Sequence, residues 1–198
     1  MRIGVLSYQG AVSEHIDMVR SLGVEAVPVR DAATLADVDG LILPGGESTT
    51  HGKLLTQFGL DRSIRAAAEC GMPVFGTCTG LILLAREIVG SAQPRLGLMD
   101  ISVERNAFGR QVDSFEVDLN VEGMGEPFPG VFIRAPIIRQ VASEVSVLAR
   151  FGGEPVFVRQ AHLLGCAFHP ELTSDARIHA LFVEMASDYR AHNAEKRG

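Results

Sequence analysis

No stretch of the 198 residues concentrates Lys or Arg, and the formal net charge is -6. Nucleic acids and anionic membranes are gripped by clustered positive charge, so neither is an expected partner. No apolar run approaches the roughly 20 residues needed to span a bilayer. The opening Met1-Arg2-Ile3-Gly4-Val5-Leu6-Ser7-Tyr8 is too short for a secretory signal, and no small-residue cleavage site follows it. Three widely spaced cysteines, Cys70, Cys78 and Cys166, are odd in number and make no disulfide framework. That usage suits a reducing compartment, and the cytoplasm is the expected location. Repeats, low-complexity tracts and Pro/Ser-rich linkers are also missing, so one domain is expected over 1–198, with 192–198 a frayed tail.

What is present is a chain with 46% hydrophobic content, enough for one well-packed core. In the first half, short apolar segments at 2–8, 24–29, 41–43 and 73–77 alternate with helical patterns. Val12, Ile16, Val19 and Leu22 share one helical face, and Gly23 stands where a helix ends. A second helical stretch covers 64–69, and a third is expected over 81–87. After about residue 98 the texture turns β-rich, at 99–105, 115–119, 131–134, 145–151, 155–159 and 164–168. A closing helix carries Ile178, Leu181, Phe182 and Met185, with Ser174 or Asp175 as its N-cap. The pattern predicts an α/β fold: a single-domain, flavodoxin-like three-layer αβα with a mostly parallel central sheet and a β-rich C-terminal half. In such sheets ligands bind beyond the carboxyl ends of the strands. The segments 8–10, 44–50 and 78–80 should therefore converge.

Gly76-Thr77-Cys78-Thr79-Gly80 falls between a strand and a helix, the grammar of a nucleophile elbow with sulfur in place of oxygen. Flanking glycines allow close packing, and the helix N-terminus stabilises a thiolate, the nucleophilic form. Free cysteines are often small core residues. That fate is expected for Cys70 and Cys166, neither of which sits at an elbow. His169-Pro170-Glu171 supplies a base and an acceptor to orient it, and Pro170 biases His169 towards an extended backbone. His15, His51, His162, His179 and His192 show no ligand-like spacing, so no metal site is expected, and solvated or helix-surface positions are. Pro44-Gly45-Gly46-Glu47-Ser48-Thr49-Thr50 reads two ways. It is either a tight turn with Ser48 or Thr49 capping the next helix, or a glycine pair presenting backbone N–H groups to an oxyanion.

Together these residues resemble the class I, Cys-His-Glu triad glutamine amidotransferases. Further stretches narrow the resemblance to the PdxT family, the glutaminase subunits of pyridoxal 5′-phosphate synthase: Gln9-Gly10-Ala11, Arg105-Asn106-Ala107-Phe108-Gly109-Arg110-Gln111 and Phe132-Ile133-Arg134-Ala135-Pro136. The resemblance runs from about residue 3 to the final helix. It implies Cys78 as nucleophile, His169 as general base and then acid, and Glu171 as orienter. It implies glutamine binding by Gly46, Glu47, Ser48, Arg105, Ile133 and Arg134, with the backbone N–H groups of Gly46 and Thr79 facing the oxyanion. The product would be ammonia, passed to the synthase protein PdxS, whose docking completes the oxyanion hole near Gly45 and Gly46. No cofactor is expected, because the steps need neither redox chemistry nor a Lewis acid. One departure is visible, since Thr79 stands where the family's elbow usually has alanine. Other readings are a glutaminase feeding another pathway, such as imidazole glycerol phosphate synthase, a stand-alone γ-glutamyl cysteine hydrolase, or a non-catalytic flavodoxin-like module.

Overall fold

The computed structural model describes residues 1–105 and 114–197. The stretch 106–111, which carries much of the family resemblance, lies outside them. The first half alternates as expected: β1 (Arg2–Leu6), α1 (Val12–Ser21), β2 (Glu25–Val29), α2 (Ala32–Ala36), β3 (Gly40–Leu43), α3 (Ser48–Gln57), α4 (Leu60–Glu69), β4 (Val74–Thr77) and α5 (Thr79–Leu84). Ile3, Val5 and Leu6 of β1, Leu41–Leu43 of β3, and Val74 and Phe75 of β4 are buried completely. A strand covered by helices on both faces cannot alternate with polar residues, which is why these segments read as continuous apolar runs. Asp31 starts α2 by accepting the Thr34 backbone N–H at 2.8 Å. Gly23, at φ +74°, follows α1 and lets the chain turn back into β2.

The second half contains β5 (Ala85–Ile88), β6 (Met99–Glu104), β7 (Ser114–Leu119), β8 (Phe128–Ile133), β9 (Ile137–Val141), β10 (Ser146–Phe151), β11 (Glu154–Gln160) and β12 (Leu163–Cys166). A 3-10 turn at Pro170–Leu172 precedes α6 (Arg177–Arg197). The central sheet has the order β10-β11-β12-β4-β3-β1-β2. It is parallel from β2 through β12 and antiparallel at the β12-β11-β10 edge. α1 packs on α6, while α3 meets α4 and α5. A small sheet, β5-β6-β9, and the β7-β8 pair complete the β-rich half. No helix among the described residues is long and apolar enough to cross a membrane.

Several local expectations are corrected. The helix expected over 81–87 stops at Leu84, and Ala85–Ile88 forms a strand beside β6. Ala, Arg and Glu favour helix intrinsically, and tertiary pairing overrides that preference. The strand β9 has no counterpart among the segments expected from sequence. It supplies the antiparallel partner of β6, with Ile137 and Ile138 buried. Cys70 is exposed at the end of α4 rather than in the core, whereas Cys166 is buried as expected. His15, His51 and His179 are fully buried, not solvated. Glu47, not Ser48 or Thr49, caps α3, accepting from the backbone N–H groups of Thr49 and Thr50. α6 runs through to Arg197. Its N-terminus is held by Asp175, whose carboxylate accepts the Arg177 backbone N–H at 3.0 Å.

Candidate active site

β12 lies beside β4 with Cys166 paired to Thr77, so the two strands deliver their following residues to one edge of the sheet. The first of these is Cys78. Its backbone N–H donates to Cys166 O at 2.8 Å, and its φ of 49° and ψ of -101° are costly for a side-chain-bearing residue. Such strain at a strand-to-helix turn is the mark of the elbow. It persists because both flanking glycines are sterically required. A Cβ on Gly76 would overlap the Gly80 backbone, and one on Gly80 would overlap the Leu43 carbonyl.

His169 leaves β12 after two further residues, with φ -110° and ψ 85°, outside the α region that Pro170 disfavours for it. Its backbone N–H is tied to Val131 O at 2.8 Å. The side chain reaches two partners. Nδ1 lies 2.7 Å from Glu171 Oε1, which leaves Nε2 free to face Cys78, whose proximity helps to raise the pKa of His169. Burial opposes a charge on His169, but its interactions with Cys78 and Glu171 outweigh it and push its pKa up to about 10. The imidazole therefore holds a proton at neutral pH. Burial raises the thiol pKa of Cys166, behind the elbow, well above the ordinary value. Of the two buried thiols, Cys78 is the one that meets a base.

The glycine pair closes the other side. A Cβ on Gly45 would stand 2.5 Å from His169 Cε1, so the backbone lies close against the His169 ring. Gly46 has φ +149°, in the range that favours glycine. Gln9 Nε2 donates to Glu47 O at 2.8 Å, and a Cβ on Gly10 would overlap the Gly45 carbonyl. The three strand-end loops thus converge as the sheet topology required. The Thr79 hydroxyl donates to Gly46 O at 2.5 Å. The threonine that departs from the family's usual alanine therefore ties the elbow to the glycine loop.

A cavity of about 280 Å³ opens in front of the sulfur, lined by Gly46, Glu47, Ser48, Cys78, Thr79, Ile82, Arg105, Ile133, Arg134 and His169. Every residue named from sequence for glutamine binding is there, and Glu171 stands behind His169. Cys78 Sγ lies 3.9 Å from Ile133 O, and Arg134 follows with φ 43°, a second strained non-glycine at the rim. The Arg105 guanidinium bonds Gln93 Oε1 at 2.6 Å, Thr49 Oγ1 at 3.1 Å and Ser48 Oγ at 3.3 Å. Burial would raise the pKa of Glu47, but hydrogen bonds from Thr50 and Thr49 overcome it and lower the value to about 2. Among the described residues the lining thus carries the Arg105 and Arg134 guanidinium groups and the Glu47 carboxylate, charges suited to the α-carboxylate and α-ammonium of a free amino acid. Sequence reasoning missed Gln93, Ile82 and Thr49. Only Thr49 carried a signal, its place in the Pro-Gly-Gly run.

Comparison with known proteins agrees with this geometry. Residues 5–188 match the SNO glutamine amidotransferase family. A pyridoxal 5′-phosphate synthase subunit PdxT from Moorella thermoacetica is 58% identical over 186 residues, 93% of this chain and 99% of its own. One of the same name from Pelotomaculum thermopropionicum is 58% identical over 185 residues, covering 93% and 94%. A crystal structure of a glutamine amidotransferase superposes with a TM-score of 0.90 at 52% identity, covering 93% of this chain and 98% of the other. A putative GMP synthase component from Thermoplasma acidophilum, at 18% identity and TM-score 0.73, covers 98% of both chains and shares the fold.

Proposed function

The chain belongs to the SNO glutamine amidotransferase family, and from that membership we propose that it is the glutaminase subunit of a pyridoxal 5′-phosphate synthase, with Cys78, His169 and Glu171 as its triad. The observation that carries the assignment of roles is the position of His169, hydrogen-bonded to Glu171 and lining one cavity with Cys78. Glutamine enters with its side-chain amide at the elbow and its amino-acid end between Arg105 and Glu47. Ser48, Ile133 and Arg134 line the rest of its path.

The Cys78 thiolate attacks the side-chain carbonyl carbon, and the oxygen becomes an oxyanion received by the backbone N–H groups of Thr79 and Gly46. The tetrahedral species collapses by breaking its C–N bond. His169 gives its proton to the departing nitrogen, so ammonia leaves neutral and a glutamyl thioester remains on the sulfur. Water then donates a proton to the imidazole and attacks the thioester. Breaking the C–S bond releases the side-chain carboxylic acid, which loses its proton to solvent as glutamate, and leaves the Cys78 thiolate and the His169 imidazolium restored. Glu171 holds the ring and stabilises its charge throughout.

Ammonia released into bulk water would be protonated and diluted, so the reaction has metabolic value only beside an acceptor site. The acceptor is the synthase protein PdxS, and the pair works in the cytoplasm. The single domain over 1–198 presents its strand-end loops to that partner, whose docking sets the Gly45-Gly46 backbone. Reconstitution with purified synthases tests the pathway. With PdxS, glutamine should support pyridoxal 5′-phosphate formation and ammonia release should rise. Activation by an imidazole glycerol phosphate synthase instead, or equal glutaminase rates with and without PdxS, would contradict this assignment.

A further inference from the structure

Glu171 is more deeply placed than its partner: its side chain is fully buried, and the hydrogen bond to His169 occupies only Oε1. Oε2 is also buried and has no partner within ordinary hydrogen-bond distance among the described residues. A carboxylate oxygen left without a donor in a closed interior is costly. The polar atom facing it is His15 Nε2, at 3.5 Å, on a side chain that is itself fully buried. His15 comes from α1. Its Nδ1 lies 2.9 Å from Nε2 of His179, which comes from α6, 164 residues away. Its Nε2 also lies 3.2 Å from Oγ1 of Thr77, the residue before the nucleophile.

We propose that His15 is a positioning residue for the triad: in its Nε2–H tautomer it donates to Glu171 Oε2, and His179 fixes that tautomer by donating its own Nε2–H to His15 Nδ1. The inference rests on the glutaminase reading of Cys78, His169 and Glu171. Two directions of donation are open to the histidine pair. If His15 donated from Nδ1 to His179, its Nε2 lone pair would face the carboxylate, and Oε2 would have no donor at all. In the reverse direction every close contact pairs a donor with an acceptor: His179 to His15, His15 to Glu171 with Thr77 beside it, and His169 to Glu171. The carboxylate decides the direction. His179 Nδ1, which has no partner among the described residues, is then an unprotonated nitrogen edge rather than a stranded N–H. Burial holds both rings neutral, lowering the pKa of His15 well below its ordinary value and that of His179 to about 4. Glu171 thus receives an imidazole N–H on each oxygen, and its plane is set from α1 and β12 together. A carboxylate that cannot rotate keeps Nε2 of His169 aimed at the sulfur.

The test combines a spectrum with a kinetic series on the chain reconstituted with its synthase partner. In wild-type protein labelled with 15N-histidine, NMR should show His15 neutral and protonated on Nε2. His15→Leu should lower kcat for ammonia release about 10-fold or more, with KM for glutamine changed less than about 3-fold. His15→Gln, whose amide reaches the position of Nε2, should recover most of kcat. His15→Asn, whose amide stops near Nδ1, should not. An Nδ1–H tautomer, or a folded His15→Leu with wild-type kcat, overturns the proposal. Should His15→Leu fail to melt cooperatively, the wild-type tautomer decides alone. Cys78→Ala in the same assay separates this inference from its premise. If Cys78→Ala still releases ammonia, the triad reading falls and the role of His15 with it. A silent Cys78→Ala beside an unimpaired His15→Leu removes only the role of His15.

Discussion

At the scale of single residues, the site depends as much on atoms that are missing as on those present. Gly45 has no Cβ where the His169 ring lies, and an added methyl would come within 2.5 Å of Cε1. The ring must then move, taking Nε2 away from the sulfur. Gly45→Ala should therefore reduce kcat about 100-fold, the usual cost of displacing a catalytic group by an ångström, while leaving the thermal midpoint nearly unchanged. Steady-state assay alongside a melting curve checks this, and a variant of normal activity would show that the ring has room to shift. The cluster of Cys78, His169 and Glu171 was legible because its members sit in short local patterns, an elbow and a His-Pro-Glu step. His15 and His179 were not. Their spacing in sequence says nothing of a 2.9 Å contact across 164 residues, and an isolated histidine on an amphipathic helix reads as solvated. Gln93 was hidden in the same way, since its bond to Arg105 joins a loop to the end of β6.

At the scale of elements, the turn between β4 and α5 is held by contacts that admit no side chain. A Cβ on Gly80 would overlap the Leu43 carbonyl of β3, a backbone atom that cannot rotate aside. Gly80→Ala is expected to destabilise the protein by about 1–3 kcal/mol, read from denaturant unfolding, because overpacking against backbone forces the strand or helix to move. Unchanged stability would mean that α5 can slide. The parallel strands were legible from their unbroken apolar runs, since burial on both faces leaves no other composition. The misreadings fell where pairing, not propensity, decides the state. Ala85–Ile88 has helix-favouring residues yet pairs with β6, and β9 takes its place from the register it shares with that same strand.

At the scale of the molecule, the two helices α1 and α6 bury a pair of neutral histidines under the sheet. Burial lowers the pKa of His179 to about 4, against an ordinary 6.5 in the unfolded chain. Between those values the unfolded state binds more protons, so stability present above pH 6.5 is lost as the pH falls towards 4. Thermal midpoints measured across this window should decline, and His179→Phe should flatten the decline. A parallel decline in both proteins would place the acid sensitivity elsewhere. The architecture also joins early and late parts of the chain, because α1 packs on α6 and β4 pairs with β12. The family assignment follows from the whole chain, whereas the chemistry follows from one edge of one sheet.

The most direct measurement is mass spectrometry of the chain after rapid quenching during turnover of glutamine, in the presence of its synthase. A covalent glutamyl adduct should appear on the peptide containing Cys78 and decay with the steady-state rate, and it should be absent from Cys78→Ala. Ammonia release with no adduct on Cys78, or with the adduct on Cys70 or Cys166, would contradict the assignment of Cys78 as the nucleophile.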